Sequence, residues 1–122
     1  MKIFKCEICG NVVDLLYNGG GALVCCGQDM ILLKKNQEDS VFESHLPKIE
    51  EKNQKINVQI GEKLHPMEEK HYIEWVALIS ETTLVRKKLK PDNEPKVIFD
   101  KVAEKYEILA YCNIHGLYSK QK

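Results

Sequence analysis

Apolar and polar residues alternate along much of this chain, with the two-residue period of a strand that turns one face to a core and the other to water. Ile56-Asn57-Val58-Gln59-Ile60 is the strictest case, apolar at 56, 58 and 60. Tyr106-Glu107-Ile108-Leu109-Ala110-Tyr111 alternates again. His71-Tyr72-Ile73-Glu74-Trp75-Val76-Ala77-Leu78-Ile79 predicts a longer strand, buried towards its end. Thr82 to Leu89 predicts another, and Val97-Ile98-Phe99 a short one. Between them, Lys90-Pro91-Asp92-Asn93-Glu94-Pro95 is a turn with two prolines. Nearer the start the apolar runs are Val12-Val13-Asp14-Leu15-Leu16-Tyr17, Leu23-Val24 and Ile31-Leu32-Leu33, with the loop Asn18-Gly19-Gly20-Gly21 among them. The polar run from Lys34 to Ser40 predicts a linker, and the one helical candidate is Asp100 to Lys105. The pattern is all-β: a small module over residues 1–36, then an antiparallel β-sandwich over 37–122.

Size sharpens this division. The chain has 122 residues, 43% of them hydrophobic, enough for one ordinary domain or two small ones. About thirty-six residues cannot build a stable core alone, so the first module needs metal and a partner chain. Lys+Arg and Asp+Glu balance at 18 each, which argues against nucleic acid as a partner. No apolar run reaches the roughly eighteen residues of a membrane span. Met1-Lys2-Ile3-Phe4-Lys5-Cys6 carries no apolar signal region, so a cytoplasmic protein is expected.

Five cysteines remain to be placed, and clustered cysteines in a cytosolic chain more often mean metal than disulfide. Cys6-Glu7-Ile8-Cys9-Gly10 is a knuckle in which two thiolates reach one metal, with Gly10 free to take the positive φ of the turn. Cys25-Cys26-Gly27 completes a set of four thiolates, the natural count for zinc or iron. Side chains of adjacent residues diverge, so Cys25 and Cys26 predict a strained tetrahedron. Such strain favours a tuned iron site over a zinc staple, a structural zinc ribbon being the alternative.

The fifth cysteine lies far downstream in Tyr111-Cys112-Asn113-Ile114-His115-Gly116, three positions before a histidine. The other histidines are His45 and His65, each near a proline, and His71 at the head of a predicted strand. Strand ends and proline-stiffened loops can converge at one end of a sandwich, so these four imidazoles and Cys112 are read as ligands of one redox metal. Five ligands leave one octahedral position open, whereas structural zinc closes at four. Imidazole with thiolate suits iron, and an axial thiolate pushes electron density onto it. A small reducible oxygen species is the substrate this chemistry suits.

The first segment resembles desulforedoxin in Cys6-x-x-Cys9 and Cys25-Cys26-Gly27. The whole chain resembles the desulfoferrodoxins, two-iron superoxide reductases. The block His65-Pro66-Met67-Glu68-Glu69-Lys70-His71, then Ile73-Glu74-Trp75, and Cys112-Asn113-Ile114-His115-Gly116 carry this likeness. The resemblance implies an immunoglobulin-like second domain, a homodimer, and two irons per chain, one Fe(Cys)4 and one ferrous Fe(His)4(Cys). It places His45, His65, His71 and His115 in the equatorial plane, Cys112 on the axis and superoxide at the open position. The implied reaction is one-electron reduction of superoxide to hydrogen peroxide, with rubredoxin or a similar protein restoring the electron. Glu43 would close the sixth position after turnover. The family has lysine between this glutamate and the first histidine; here Ser44 stands there, and Lys48, the nearest cation in sequence, is the candidate replacement. A rubredoxin-like electron carrier and a zinc-ribbon binding module are the alternatives, and both leave the four histidines without a task.

Overall fold

A computed structural model describes residues 1–38 and 44–122. The chain divides into two compact units, Met1–Lys34 and Lys35–Lys122. No helix is present among the described residues.

The first unit has five short strands: β1 (Ile3–Lys5), β2 (Val12–Asp14), β3 (Val24–Cys25), β4 (Gln28–Asp29) and β5 (Ile31–Leu32). β1 is the middle of a sheet ordered β2-β1-β5, and β3 with β4 forms a separate hairpin. The strand predicted to run to Tyr17 stops at Asp14, and Leu16 and Tyr17 lie exposed. Ile3 and Cys6 are the buried apolar side chains of this unit. Burying one aliphatic side chain gains about 1.5–3 kcal/mol, while ordering each residue costs about 1–2 kcal/mol. Such a core cannot hold the unit, which leaves the cysteine cluster as the main fastening.

The second unit is a sandwich of eight strands: β6 (Lys35–Asn36), β7 (Pro47–Lys52), β8 (Lys55–Ile60), β9 (Ile73–Ile79), β10 (Leu84–Lys88), β11 (Lys96–Asp100), β12 (Glu107–Cys112) and β13 (Gly116–Gln121). One sheet is ordered β10-β9-β12-β13-β6 and the other β11-β8-β7. All pairings are antiparallel except β13 with β6. Lys35 and Asn36, expected in a linker, instead pair with Leu117 and Tyr118 at the sheet edge. The inner faces meet through Ile56, Val58 and Ile60 of β8, Val97 and Phe99 of β11, Val76 and Leu78 of β9, and Ile108 and Ala110 of β12. The strict alternation in β8 and β11 follows, since those strands are buried on one face only.

Three further features depart from expectation. β7 escapes the pattern because Pro47 and Ile49 are its only apolar residues and its other positions are charged, as suits an edge strand. Its two-residue turn to β8 puts Asn53 and Gln54 both at positive φ, the geometry of a tight hairpin. The helix expected at 100–105 does not form. Lys101 donates its backbone N–H to Gln54 O and pairs its side chain with Glu51 at 2.8 Å, so tertiary contacts claim the residue that would open a helix.

Candidate metal centres

In the first unit Cys6, Cys9, Cys25 and Cys26 offer sulfurs that all lie within 4.8 Å of one another. Cys9 Sγ is 3.6 Å from Cys25 Sγ, and Cys25 Sγ is 4.0 Å from Cys26 Sγ. Four sulfurs about 2.3 Å from one metal form a tetrahedron with edges of about 3.8 Å, so these separations fit. The adjacency of Cys25 and Cys26 is absorbed by the backbone rather than the tetrahedron. Cys26 has φ 53°, which turns its side chain back beside that of Cys25. A left-handed residue other than glycine costs roughly 1–2 kcal/mol. Gly10 takes φ 83°, as the knuckle requires.

The thiols of this cluster do not share one affinity for protons. The Cys9 N–H holds the Cys6 thiol down at about 6. Its hydrogen bonds with Cys9, then Cys6, push Cys26 up to about 12. Bringing all four sulfurs to the thiolate form at these distances needs a cation among them.

In the second unit the histidines close a cycle. Ring centroids are 4.6 Å apart for His45–His65, 4.8 Å for His65–His71, 5.1 Å for His71–His115 and 4.9 Å for His115–His45. Neighbouring ligands about 2.1 Å from an octahedral metal sit about 3.0 Å apart; His45 Nε2 and His115 Nδ1 are 3.2 Å apart. Cys112 Sγ lies 3.7 Å from His115 Nδ1 and accepts the His115 backbone N–H at 3.5 Å. His45, His65, His71 and Cys112 form a group of potential ligand atoms within 4.8 Å of one another. His45, His65 and Cys112 are buried, His71 is half-buried and His115 is exposed.

Local chemistry sets each ring. His65 Nδ1 lies 2.7 Å from the Pro66 carbonyl; an N–H donated there leaves Nε2 with the lone pair. The Tyr118 ring stacks on His45 at 4.3 Å and 10°. Between His65 and His71, Met67 accepts the Ile73 N–H on Sδ at 3.4 Å and the Asp92 N–H on its carbonyl at 2.9 Å. Two ties join the ligand-bearing segments. Ser44 Oγ accepts the Glu62 N–H at 3.0 Å and Leu46 O accepts the Gly61 N–H at 3.1 Å, linking the His45 segment to the approach of His65. Gly61 has φ 89°, and a Cβ there would meet Lys63 O at 2.2 Å and Ser44 O at 2.6 Å. On the other side, Asn113 Oδ1 accepts the Tyr72 N–H at 3.0 Å, Asn113 Nδ2 donates to Lys70 O at 3.0 Å, and its N–H donates to Tyr72 O at 3.2 Å. A register shift between Tyr111 and Cys112, where β12 pairs with β9, marks where the strand gives way to this turn.

All nine cysteine and histidine candidates thus fall into two groups, consistent with two iron sites. Glu43 lies outside the described residues. Lys48 lies in β7 and pairs with the exposed Glu62, Nζ to Oε2 3.7 Å. Asn113, Gly61, Met67 and Tyr118 escape a reading by ligand type, because none is a ligand. The signal for Asn113 was its place inside the turn, where a side-chain amide can imitate a strand's hydrogen bonds.

Comparison with known proteins agrees with both groups. The desulfoferrodoxin family profile matches residues 37–121, and the profile described as the desulfoferrodoxin N-terminal domain matches residues 1–33. A desulfoferrodoxin homologue of Archaeoglobus fulgidus is 46% identical over 118 residues, covering 97% of this chain and 94% of its own. Desulforedoxin of Megalodesulfovibrio gigas is 62% identical over 29 residues, 24% of this chain and 78% of its own. The crystal structure of the superoxide reductase from Treponema pallidum superposes with a TM-score of 0.78 at 25% identity, covering 98% of this chain and 96% of that one. With its whole length matched and both cysteine and histidine groups assembled, the chain belongs to the desulfoferrodoxin family.

Proposed function

We propose that this protein is a superoxide reductase, in which superoxide takes up one electron and two protons and leaves as hydrogen peroxide. The observation that carries the proposal is the closed cycle of four histidines with the buried Cys112 sulfur beside it. Iron bound there would supply the single electron. His45, His65, His71, His115 and Cys112 would hold it. The exposed His115 would give a small anion access, while the Cys112 sulfur is buried. The cycle also sets this reading apart from a lone four-cysteine electron carrier or a zinc ribbon.

The four cysteines would hold a second iron in the first unit, Met1–Lys34, and the second unit, Lys35–Lys122, would be the reductase domain. Rubredoxin or a similar carrier is the expected donor. A second copy of the chain would cover the exposed Ile8, Leu16, Tyr17 and Val24 of the first unit, and a reducing, cytoplasmic setting suits its thiolates. Glu43 would occupy the open position after turnover. Lys48 would supply the positive field that the family's lysine supplies elsewhere, trimmed by its pairing with Glu62. Lys48→Ala should therefore lower the rate with superoxide by a few-fold and flatten its salt dependence; an unchanged rate and salt slope would remove Lys48 from the site.

Metal content and the visible spectrum test the assignment. Two irons per chain and a new thiolate-to-ferric band on mild oxidation are expected, with that band lost in Cys112→Ser while the four-cysteine bands stay. Zinc alone, colourless and inert to oxidant after iron reconstitution, would contradict it.

A further inference from the structure

Two N–H groups of Asn11 donate to the sulfurs of the four-cysteine cluster. Its backbone N–H donates to Cys9 Sγ at 3.4 Å, and its side-chain Nδ2 donates to Cys25 Sγ at 3.7 Å. The backbone N–H of Cys9, 3.5 Å from Cys6 Sγ, and that of Ile8 also donate to the cluster. Backbone N–H donors come with any knuckle of this spacing. The side-chain donor does not, and it reaches across from the first cysteine pair to the second. Asn11 O also accepts the Cys6 N–H at 2.9 Å, which fixes the residue beside the cluster.

We propose that Asn11 is the positioning residue that sets the reduction potential of the four-cysteine iron, through its side-chain hydrogen bond to the Cys25 sulfur. This rests on the reading that these cysteines hold iron. One electron added to a tetrathiolate iron raises the negative charge on its sulfurs. An N–H aimed at a sulfur stabilises that added charge, so it favours the reduced state and raises the potential. The same bond lowers the energy of the sulfur electrons, so removing it moves the thiolate-to-ferric bands to longer wavelength. The chemistry gives Asn11 a task beyond stapling the chain: it makes this iron easier for a weak donor to reduce.

The test is a redox titration of the full iron-loaded chain, followed by visible absorption, for the native protein and Asn11→Leu. The variant keeps the size of the side chain and the backbone N–H but removes the amide. Its reduction equilibrium should fall on the order of tenfold, about 59 mV for a one-electron couple, with the bands moved to longer wavelength. Iron content, measured alongside, separates this result from a failure of the iron assignment itself. An Asn11→Leu protein with full iron, an equilibrium within about twofold of native and unmoved bands would overturn the proposal. If that variant does not hold iron, the native chain loaded with spin-active cadmium decides. Scalar coupling from the Asn11 side-chain amide protons to the metal would support the bond, and its absence, with coupling seen from the backbone N–H groups, would overturn it.

Discussion

Truncating Asn113 tests how the turn that carries Cys112 and His115 is held against the segment that carries His71. Asn113→Ala removes two hydrogen bonds, the acceptor for the Tyr72 N–H at 3.0 Å and the donor to Lys70 O at 3.0 Å. Their costs are unequal. Lys70 is exposed and water can take the place of the lost donor. Tyr72 is half-buried at the mouth of β9, so its N–H is left poorly satisfied, at about 1–3 kcal/mol. A net loss near 2 kcal/mol is expected. With guanidinium slopes of about 2–6 kcal/mol per molar, the unfolding midpoint should fall by roughly 0.3–1 M. Trp75 is the only tryptophan in the chain and lies in β9, so its fluorescence reports the unit in question. Asn113→Asp keeps the acceptor for Tyr72 and gives up only the exposed donor, so it should stay within about 1 kcal/mol of native. Both variants would be compared iron-loaded in one buffer, with the Cys112-dependent absorption recorded first. Equal midpoints for Asn113→Ala and the native chain, with an unshifted band, would refute the claim that this side chain ties the two ligand segments together.

Other outcomes follow from the same geometry. Gly61→Ala forces a Cβ against two backbone oxygens at 2.2 and 2.6 Å, so it should cost at least about 3 kcal/mol and weaken iron retention at the histidine centre; a stable, fully loaded variant would show the His45 and His65 segments to be looser than described. Glu51 is held below the usual carboxylate range by its hydrogen bond from Lys101, then that from Tyr106. Its contribution is thus present above the unfolded value of about 4.3 and is lost as pH falls through the lower folded value. Thermal melts from pH 7 to pH 3 should lose less stability in Glu51→Gln than in the native chain, and parallel curves would remove Glu51 from the acid response.

Much of this was legible in the sequence because two kinds of signal were strong. Alternation in Ile56–Ile60 exposed β8, which alternates in burial as read, while β12, read as alternating over Tyr106–Tyr111, is buried from Ile108 to Cys112. That the histidines and the late cysteine come together was legible by residue type, since they had no simpler common use. What stayed hidden was carried by polar or backbone groups. β7 is written in lysine and glutamate, and β6 by a two-residue pairing too short for any period to show. The left-handed turn of Cys26, which accompanies neighbouring cysteine sulfurs 4.0 Å apart, has no counterpart in composition. The roles of Ser44 and Asn113 depend on which N–H each faces, and only the folded chain brings those partners near.

The most direct test of the central claim is the yield of hydrogen peroxide per superoxide consumed, measured on the iron-loaded chain with a one-electron donor in excess. A reductase gives one peroxide for each superoxide and oxidises one equivalent of donor, and Cys112→Ser should leave the donor untouched and drop the yield to the one peroxide per two superoxides of spontaneous dismutation. One peroxide for every two superoxides, with the donor untouched, would mean dismutation and would contradict the account.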